Sequence, residues 1–443
     1  MTRSSLIIAV VACLLLGTAG TSLGAGFEVA EQSGRLLGNA YAGKAAEAGD
    51  ASTVFFNPAG IMKLHDFNAV MSVHVLWASG RFSDDGSTGA LGADIGNLNG
   101  GNAGDMVWIP NTYVCFPVAD NISVGLGINA PFGLTTDYED GWKGRYHALH
   151  SHLETLNINP CVAYRINETF SVGVGVNIQR AEARLTQAID FGTIAFAQLG
   201  PTTATALGFS PQGNDGEGIV TGEGWAYGFN AGVLVELSEK TRIGVSYRSA
   251  IEHTLEGDGD FKMDSTSAVL TSSGAFRDVD VEAKAKLPQQ ASLSAYHELN
   301  DQISLLADVT WTGWSSFDEL RIEFDNEAQP DSVTPEDWDD VFRFSLGAVY
   351  RPDEHLTLRI GGAFDQSPIS DKRRTARIPT NDRIWASFGL GYKLSETMDL
   401  DITYMHVWIK DGDVEDVAST GQLLKGTFKG DADVLGINLS IRF

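Results

Sequence analysis

The chain has 443 residues, with 31 Lys and Arg against 57 Asp and Glu, a formal charge of −26 that excludes a nucleic-acid binder whose affinity rests on neutralising phosphates. Hydrophobic residues at 43% and charged residues at 20% exclude a bulk-disordered chain. The 49 glycines, with only 13 prolines and no strict repeat, exclude collagen and low-complexity linkers and point to turns and to strands that bend.

In chain order, residues 1–25 come first as a separate object. Arg3 precedes an apolar run from Leu6 to Leu16, and small residues lead to Leu23-Gly24-Ala25. This is the pattern of a secretory signal cleaved after Ala25, and the run is too short for a spanning helix. Residues 26–64 do not alternate. The small residues from Asn39 to Gly49 and the run Phe55-Phe56-Asn57-Pro58-Ala59-Gly60 predict short helices and turns.

From about Phe67 the pattern changes to period two. Phe342, Phe344, Leu346 and Tyr350 stand opposite Arg343, Ser345 and Gly347, and Leu356, Leu358, Ile360 and Phe364 opposite Thr357, Arg359, Gly361 and Asp365. Ile384, Ala386, Phe388, Leu390 and Tyr392 alternate with Trp385, Ser387, Gly389, Gly391 and Lys393. Leu435, Ile437, Leu439, Ile441 and Phe443 alternate with Gly436, Asn438, Ser440 and Arg442. These strands are longer than those of a soluble sandwich, and aromatics sit at the ends of their apolar faces, as in the girdles of a membrane barrel.

Short polar turns at Asp120-Asn121, Asn167-Glu168, Glu239-Lys240, Asn300-Asp301, Asp353-Glu354 and Glu396-Thr397 alternate with long connections. The long ones lie near 80–104, 131–151, 185–222, 254–280, 315–340, 365–381 and 409–432. The fold class is therefore all-β: a transmembrane antiparallel β-barrel of about fourteen strands over residues 65–443, in the bacterial outer membrane. A cylinder of that width is not filled by wall side chains alone, so residues 26–64 are expected to form a plug, or hatch, inside it.

The long loops carry the candidate ligand-capture residues. Ile194, Phe196, Leu199, Leu207 and Phe209 make 185–222 unusually apolar, as a capturing surface or as loops packed on one another. Lys143 and Arg145 beside Trp142 and Tyr146 offer a charge-assisted bond to a carboxylate; otherwise they meet lipopolysaccharide phosphates or pair with Asp137, Glu139 and Asp140. Lys372-Arg373-Arg374 reads as a solvated or lipopolysaccharide-facing patch.

His147, His150 and His152 lack ligand geometry, and the acidic stretches Asp331 to Asp340 and Asp411 to Asp416 lack calcium-loop spacing. No metal, cofactor or enzymatic activity is expected, since nucleophile-elbow, zinc-protease and phosphate-loop motifs are absent. Cys115 and Cys161 are expected to face inward from the second and fourth strands, too far apart to bridge. Phe443, a terminal aromatic on an alternating strand, is the expected signal for the outer-membrane insertion machinery. A monomer is expected.

Several motifs in fixed order resemble the FadL/TodX family of outer-membrane transporters for long-chain fatty acids and other hydrophobic compounds. They are Ala25-Gly26-Phe27, Asn57-Pro58-Ala59, the run Gly125 to Leu134, Trp142-Lys143-Gly144-Arg145-Tyr146, Asn157-Ile158-Asn159-Pro160, and Ile378-Pro379 followed by Asp382-Arg383-Ile384-Trp385. The resemblance implies a fourteen-stranded barrel, an N-terminal hatch, capture of hydrophobic ligands near the outer loops, and lateral exit through a kink in the third strand.

On that footing Phe27, Asn57, Pro58 and Ala59 lie on the substrate path. Gly125, Gly127 and Pro131 form the lateral gap, with Asn57-Pro58-Ala59 packed behind it and Asn57 bonding the backbone groups the bend exposes; otherwise the glycines only relieve crowding against the hatch. The substrate is a long-chain fatty acid or else an aromatic or other hydrocarbon; a general diffusion porin would share the barrel but need an open lumen.

Overall fold

Most strands here turn polar side chains inward and large apolar ones outward, the reverse of a soluble protein. In the computed structural model, which describes residues 26–443, Arg343 and Ser345 are 4% and 2% exposed while their neighbour Leu346 is 70% exposed. Period-two alternation makes one face of each strand apolar, and that face points outward to hydrocarbon. The expected signal peptide lies outside the described residues.

The strands are β1 (Asn68–Asp84), β2 (Met106–Ala119), β3 (Ile122–Asn129 and Gly133–Asp137), β4 (His150–Arg165), β5 (Phe170–Asp190) and β6 (Asp215–Ser238). Next come β7 (Thr241–Arg248 and Ile251–Lys262), β8 (Val279–Leu287 and Gln290–Glu298), β9 (Ile303–Thr312 and Glu319–Phe324) and β10 (Ser332–Pro335 and Val341–Tyr350). The last four are β11 (Leu356–Asp365), β12 (Arg383–Ser395), β13 (Met398–Val417) and β14 (Leu423–Arg442). Each pairs antiparallel with its sequence neighbours, and β14 returns to β1 from Asn68↔Arg442 to Asp84↔Gly426, closing a fourteen-stranded barrel. Phe67 and Phe443 complete the closure by exchanging backbone hydrogen bonds of 3.1 and 3.0 Å. Among the described residues no helix is long and apolar enough to cross a membrane.

The short turns fall where the sequence places them. Two of the long connections do not. Most of 409–432 is strand, since β13 runs to Val417 and β14 resumes at Leu423; most of 185–222 is strand or helix. The outward positions of β14 turn polar at Asp433, Asp431, Lys429 and Lys425, so the apolar alternation stops with the membrane while the hydrogen-bond ladder continues beyond it.

Residues 26–64 form α1 (Gly34–Leu37), α2 (Thr53–Phe56) and a 3₁₀ helix Pro58–Lys63. Inward-facing side chains from around the ring bind this segment. Ser72 on β1 accepts from Gly34 N (2.8 Å), Asn111 and Tyr113 on β2 donate to the carbonyls of Glu31 and Gln32 (2.7 and 2.9 Å), and Arg248 on β7 donates to Phe55 O (2.9 Å). Ser294 on β8 accepts from Ala45 N (3.0 Å), and Thr403 on β13 donates to Gly34 O (2.7 Å).

Candidate functional site

The ladder between β2 and β3 stops part-way. Pairing runs to Thr112↔Ile128, after which Ala130, Pro131 and Phe132 leave the sheet. On its other side β3 stays with β4, from Asn129↔Asn157 to a resumption at Gly133↔Glu154, so three residues on β3 oppose two on β4. This is a bulge at a proline, whose missing N–H cannot serve a ladder. Beyond it Gly133–Asp137 has no ladder to β2.

Five of the freed backbone groups of residues 130–133 have partners. Val29 N donates to Pro131 O (2.9 Å), Gly133 N donates to Phe27 O (3.0 Å), and Glu28 bridges Phe132 as an antiparallel pair. The Gln32 amide donates to Ala130 O (2.8 Å). Thr155 Oγ1 accepts from Phe132 N (3.0 Å) and donates to Phe132 O (2.6 Å). The segment Phe27–Val29 therefore takes the place that β2 vacates. Such groups left bare beside hydrocarbon would cost several kcal/mol each, which is why the sequence around the break supplies so many donors and acceptors.

Phe27 anchors that segment. Its ring lies edge-on against Trp314 (4.7 Å between centroids), Phe317 (5.6 Å) and Phe132 (6.1 Å), with Trp338 tilted at 5.7 Å. Val341, Ile369 and Ile378 belong to the same packed apolar cluster, directly beside the break. Glu28 pairs with Arg343 at 3.6 Å. Glu31 is fully buried, and neither carboxylate oxygen has a hydrogen-bond partner; burial pushes its pKa up to about 7, against the pull of Arg343 and Arg383.

Gly125 and Gly127 lie before the break, where the ladder is intact on both sides: Cys115↔Gly125↔Cys161 and Tyr113↔Gly127↔Asn159. A Cβ at Gly125 would lie 2.6 Å from Val54 of the N-terminal segment, and one at Gly127 would lie 2.9 Å from Tyr113 of β2 and 3.3 Å from Val54. Cys115 and Cys161 are both free and buried, with Gly125 between them.

Asn57 bonds its own segment and β6. Its amide donates to Ala45 O (2.7 Å) and to Val233 O on β6 (3.1 Å), and its Oδ1 accepts from Ala59 N (3.1 Å), capping the 3₁₀ helix that Pro58 starts. Gly173 on β5 and Gly232 on β6 admit this turn, because side chains there would meet Pro58 and Asn57. A period-two reading does not locate the contact, because glycine has no side chain to show which face matters. Gln32 and Thr155, missed by the sequence reading, carried no local signal; only the register identifies them.

The loop residues are committed to one another. Trp142 is fully buried, stacked on Tyr138 (4.0 Å, 9° between planes), and donates to Ala148 O (2.8 Å). Lys143 pairs with Asp84, and Arg145 with Asp215 (2.8 Å), while Tyr146 donates to Asp215 (2.8 Å). The acid partners are thus not Asp137, Glu139 or Asp140, which are near in sequence, but residues of neighbouring strands. A cavity of about 710 Å³ opens beside Arg145, lined by Tyr138, Leu149, Thr186, Asp215 and Lys262 among others. His147, His150 and His152 take separate partners, Asp416, Asp137 and Thr135.

The apolar stretch folds as α3 (Phe191–Leu199) and α4 (Pro201–Ala206), capped by Asp190, which accepts from Thr193 N (2.8 Å). Phe209 packs into a cluster with Phe191, Ala195, Ala204 and Leu270, and Ile194 and Phe196 lean against it. Leu199 and Leu207 stay exposed, at 38% and 50%.

A closed barrel with an apolar outer face and a polar, filled interior defines a bacterial outer-membrane protein. The family described as outer membrane protein transport protein (OMPP1/FadL/TodX) matches residues 15–443, and the chain belongs to it. It is 30% identical over 470 residues to outer membrane protein P1 of Haemophilus influenzae, covering 98% of each chain. It is 30% identical over 421 residues to a long-chain fatty acid transport protein of Escherichia coli, covering 91% of each. The crystal structure of a Pseudomonas aeruginosa FadL homologue superposes with a TM-score of 0.87 at 25% identity, over 95% of this chain and 100% of that one. The Ralstonia pickettii toluene transporter TbuX shares the fold, with a TM-score of 0.64 at 19% identity over 90% and 95% of the two chains.

Proposed function

We propose that this protein takes up long-chain fatty acids across the outer membrane, capturing them at its outer loops and releasing them sideways through the break in β3. The observation that carries this reading is the break itself, covered by backbone of Phe27–Val29 instead of by β2. An apolar solute in a water-filled pore would forgo about 25 cal/mol per Å² of apolar surface; a side exit keeps it in apolar surroundings. Residues 26–64 act as the plug, and Phe27, with the aromatic cluster packed around it, stands where the plug meets the exit. Leu199 and Leu207 offer the first apolar contact outside. Lys143 and Arg145, already paired with acids, hold the loops together. The fatty-acid reading rests on relatives at 30% identity over nine-tenths of the chain. One chain supplies the whole path, so the working unit is a monomer. Phe443 serves assembly: its deletion should lower the amount of protein in the outer membrane, and normal amounts would remove that role.

The test is a reversible lock. Glu28→Cys with Phe132→Cys joins the bridged pair in a variant lacking Cys115 and Cys161. Uptake of labelled oleate should stop in the oxidised protein and return on reduction. Undiminished oleate uptake by the oxidised form would move the path to the barrel axis. Labelled toluene, run in parallel, tests the substrate class: toluene uptake without oleate uptake would replace the fatty acid by an aromatic hydrocarbon.

A further inference from the structure

On the outward face of β14, Leu435, Ile437, Leu439, Ile441 and Phe443 form an apolar stripe, and the next two outward positions are Asp433 and Asp431. Register sets His406 of β13 opposite Asp433, and Ser79 of β1 opposite Asp431. A nitrogen of His406 and a carboxylate oxygen from each aspartate lie within 4.8 Å of one another. The exposed rings of Trp77, Tyr404 and Trp408 surround them, which places the group at the interfacial girdle, level with the headgroups of the outer leaflet.

A second observation concerns charge. Along these two strands four other acids have a lysine or arginine of their own: Asp399 has Arg442 (2.6 Å), Asp401 has Arg359 (2.6 Å), Asp411 has Lys429 (3.0 Å) and Glu415 has Lys425 (2.9 Å). Among the described residues no lysine or arginine pairs with Asp431 or Asp433. Asp433 accepts from Tyr404 (2.5 Å) and meets His406 Nδ1 at 2.8 Å, and Asp431 accepts from Ser79. Two carboxylates at the edge of hydrocarbon, with a cation partner withheld, are an electrostatic cost that one divalent ion would remove.

We propose that His406, Asp431 and Asp433 form a divalent-cation site on the lipid-facing wall. One imidazole and two carboxylates suit a borderline ion such as Zn²⁺ or Mn²⁺ better than an oxygen-only ion. The ion's outward positions remain open to phosphate oxygens of the surrounding headgroups. The site lies on the opposite side of the barrel wall from the plug and does not depend on the uptake route.

The experiment is Zn²⁺ titration, by calorimetry, of the full protein in detergent after chelator treatment. One equivalent should bind, roughly tenfold to a hundredfold more weakly in His406→Ala, and without saturation in Asp431→Asn/Asp433→Asn. Heat-modifiable gel mobility verifies that the variants are folded. In the unmutated protein, Zn²⁺ should also shield His406 from diethylpyrocarbonate while leaving the periplasmic-turn residue His355 reactive. Absence of a one-to-one site, equal affinity in folded variants, or unchanged His406 modification would each overturn the proposal.

Discussion

The seam between β14 and β1 and the seam between β2 and β3 are built from the same alternation, yet one is continuous and the other is not. The first holds register from Asn68↔Arg442 through Asp84↔Gly426; the second ends at Thr112↔Ile128. At the continuous seam the strands satisfy each other, and parting them would expose a long row of donors and acceptors. At the broken seam the partners are a backbone stretch and the Gln32 side chain of the N-terminal segment, plus Thr155 of the wall. If the wall opens sideways, as proposed above, these are the hydrogen bonds it would exchange, while the rest of the ring stays closed.

Several substitutions would break or sharpen this contrast. The largest effect is expected from Gly173→Val on β5, because backbone of Pro58 and Ala59 fills the space of its side chain. Overpacking of this kind costs about 1–3 kcal/mol and here has rigid backbone to displace. Single-channel recordings in planar bilayers should then show large conductance from a dislodged plug, with the β14–β1 seam intact by heat-modifiable mobility. Conductance equal to that of the unaltered protein would mean that the plug tolerates the displacement.

Next is the pH dependence carried by Glu31. Its pKa is raised by burial from 4.5 to about 7, so the docked segment binds more protons than the released one between those values. Docking is firmest below pH 4.5, weakens as pH rises, and levels off above about 7, having lost up to about 3 kcal/mol at about 1.4 kcal/mol per pKa unit. Hydrogen-exchange protection of residues 27–33, corrected for intrinsic rates, should fall from pH 5 to pH 8. Glu31→Gln should abolish that slope; an unchanged slope would assign it to another group.

Thr155→Val should act on the broken seam alone. It strands the N–H and C=O of Phe132, at about 1–3 kcal/mol for a buried unsatisfied group. Protection of Phe132 and Gly133 should drop while that of Val434 to Ile437, on the continuous seam, stays constant; loss of protection at both would point to global weakening. The smallest effect is expected from Asn57→Ala, which removes a cap worth about 1 kcal/mol and one tie to β6, far from the break. Exchange of Ala59 to Lys63 should quicken with oleate uptake only slightly reduced. A collapse of uptake would tie Asn57 to the exit after all.

The barrel, its strand number and its short turns were legible in the sequence, because alternation and turn chemistry are local properties written every second residue. The sequence also marked Pro131 as unfit for a ladder. What tertiary structure decided is which groups meet. Gly125 and Gly127 keep registered pairs on both sides, and a side chain at either would crowd Val54 or Tyr113, contacts that only the fold brings together. Asn57 reaches β6 rather than β3, and Arg145 reaches Asp215, seventy residues away, rather than the acids beside it. Register between strands far apart in sequence depends on the closure of the whole ring, so the partners of Phe132 and the meeting of His406 with Asp431 and Asp433 have no signature in any single stretch of chain.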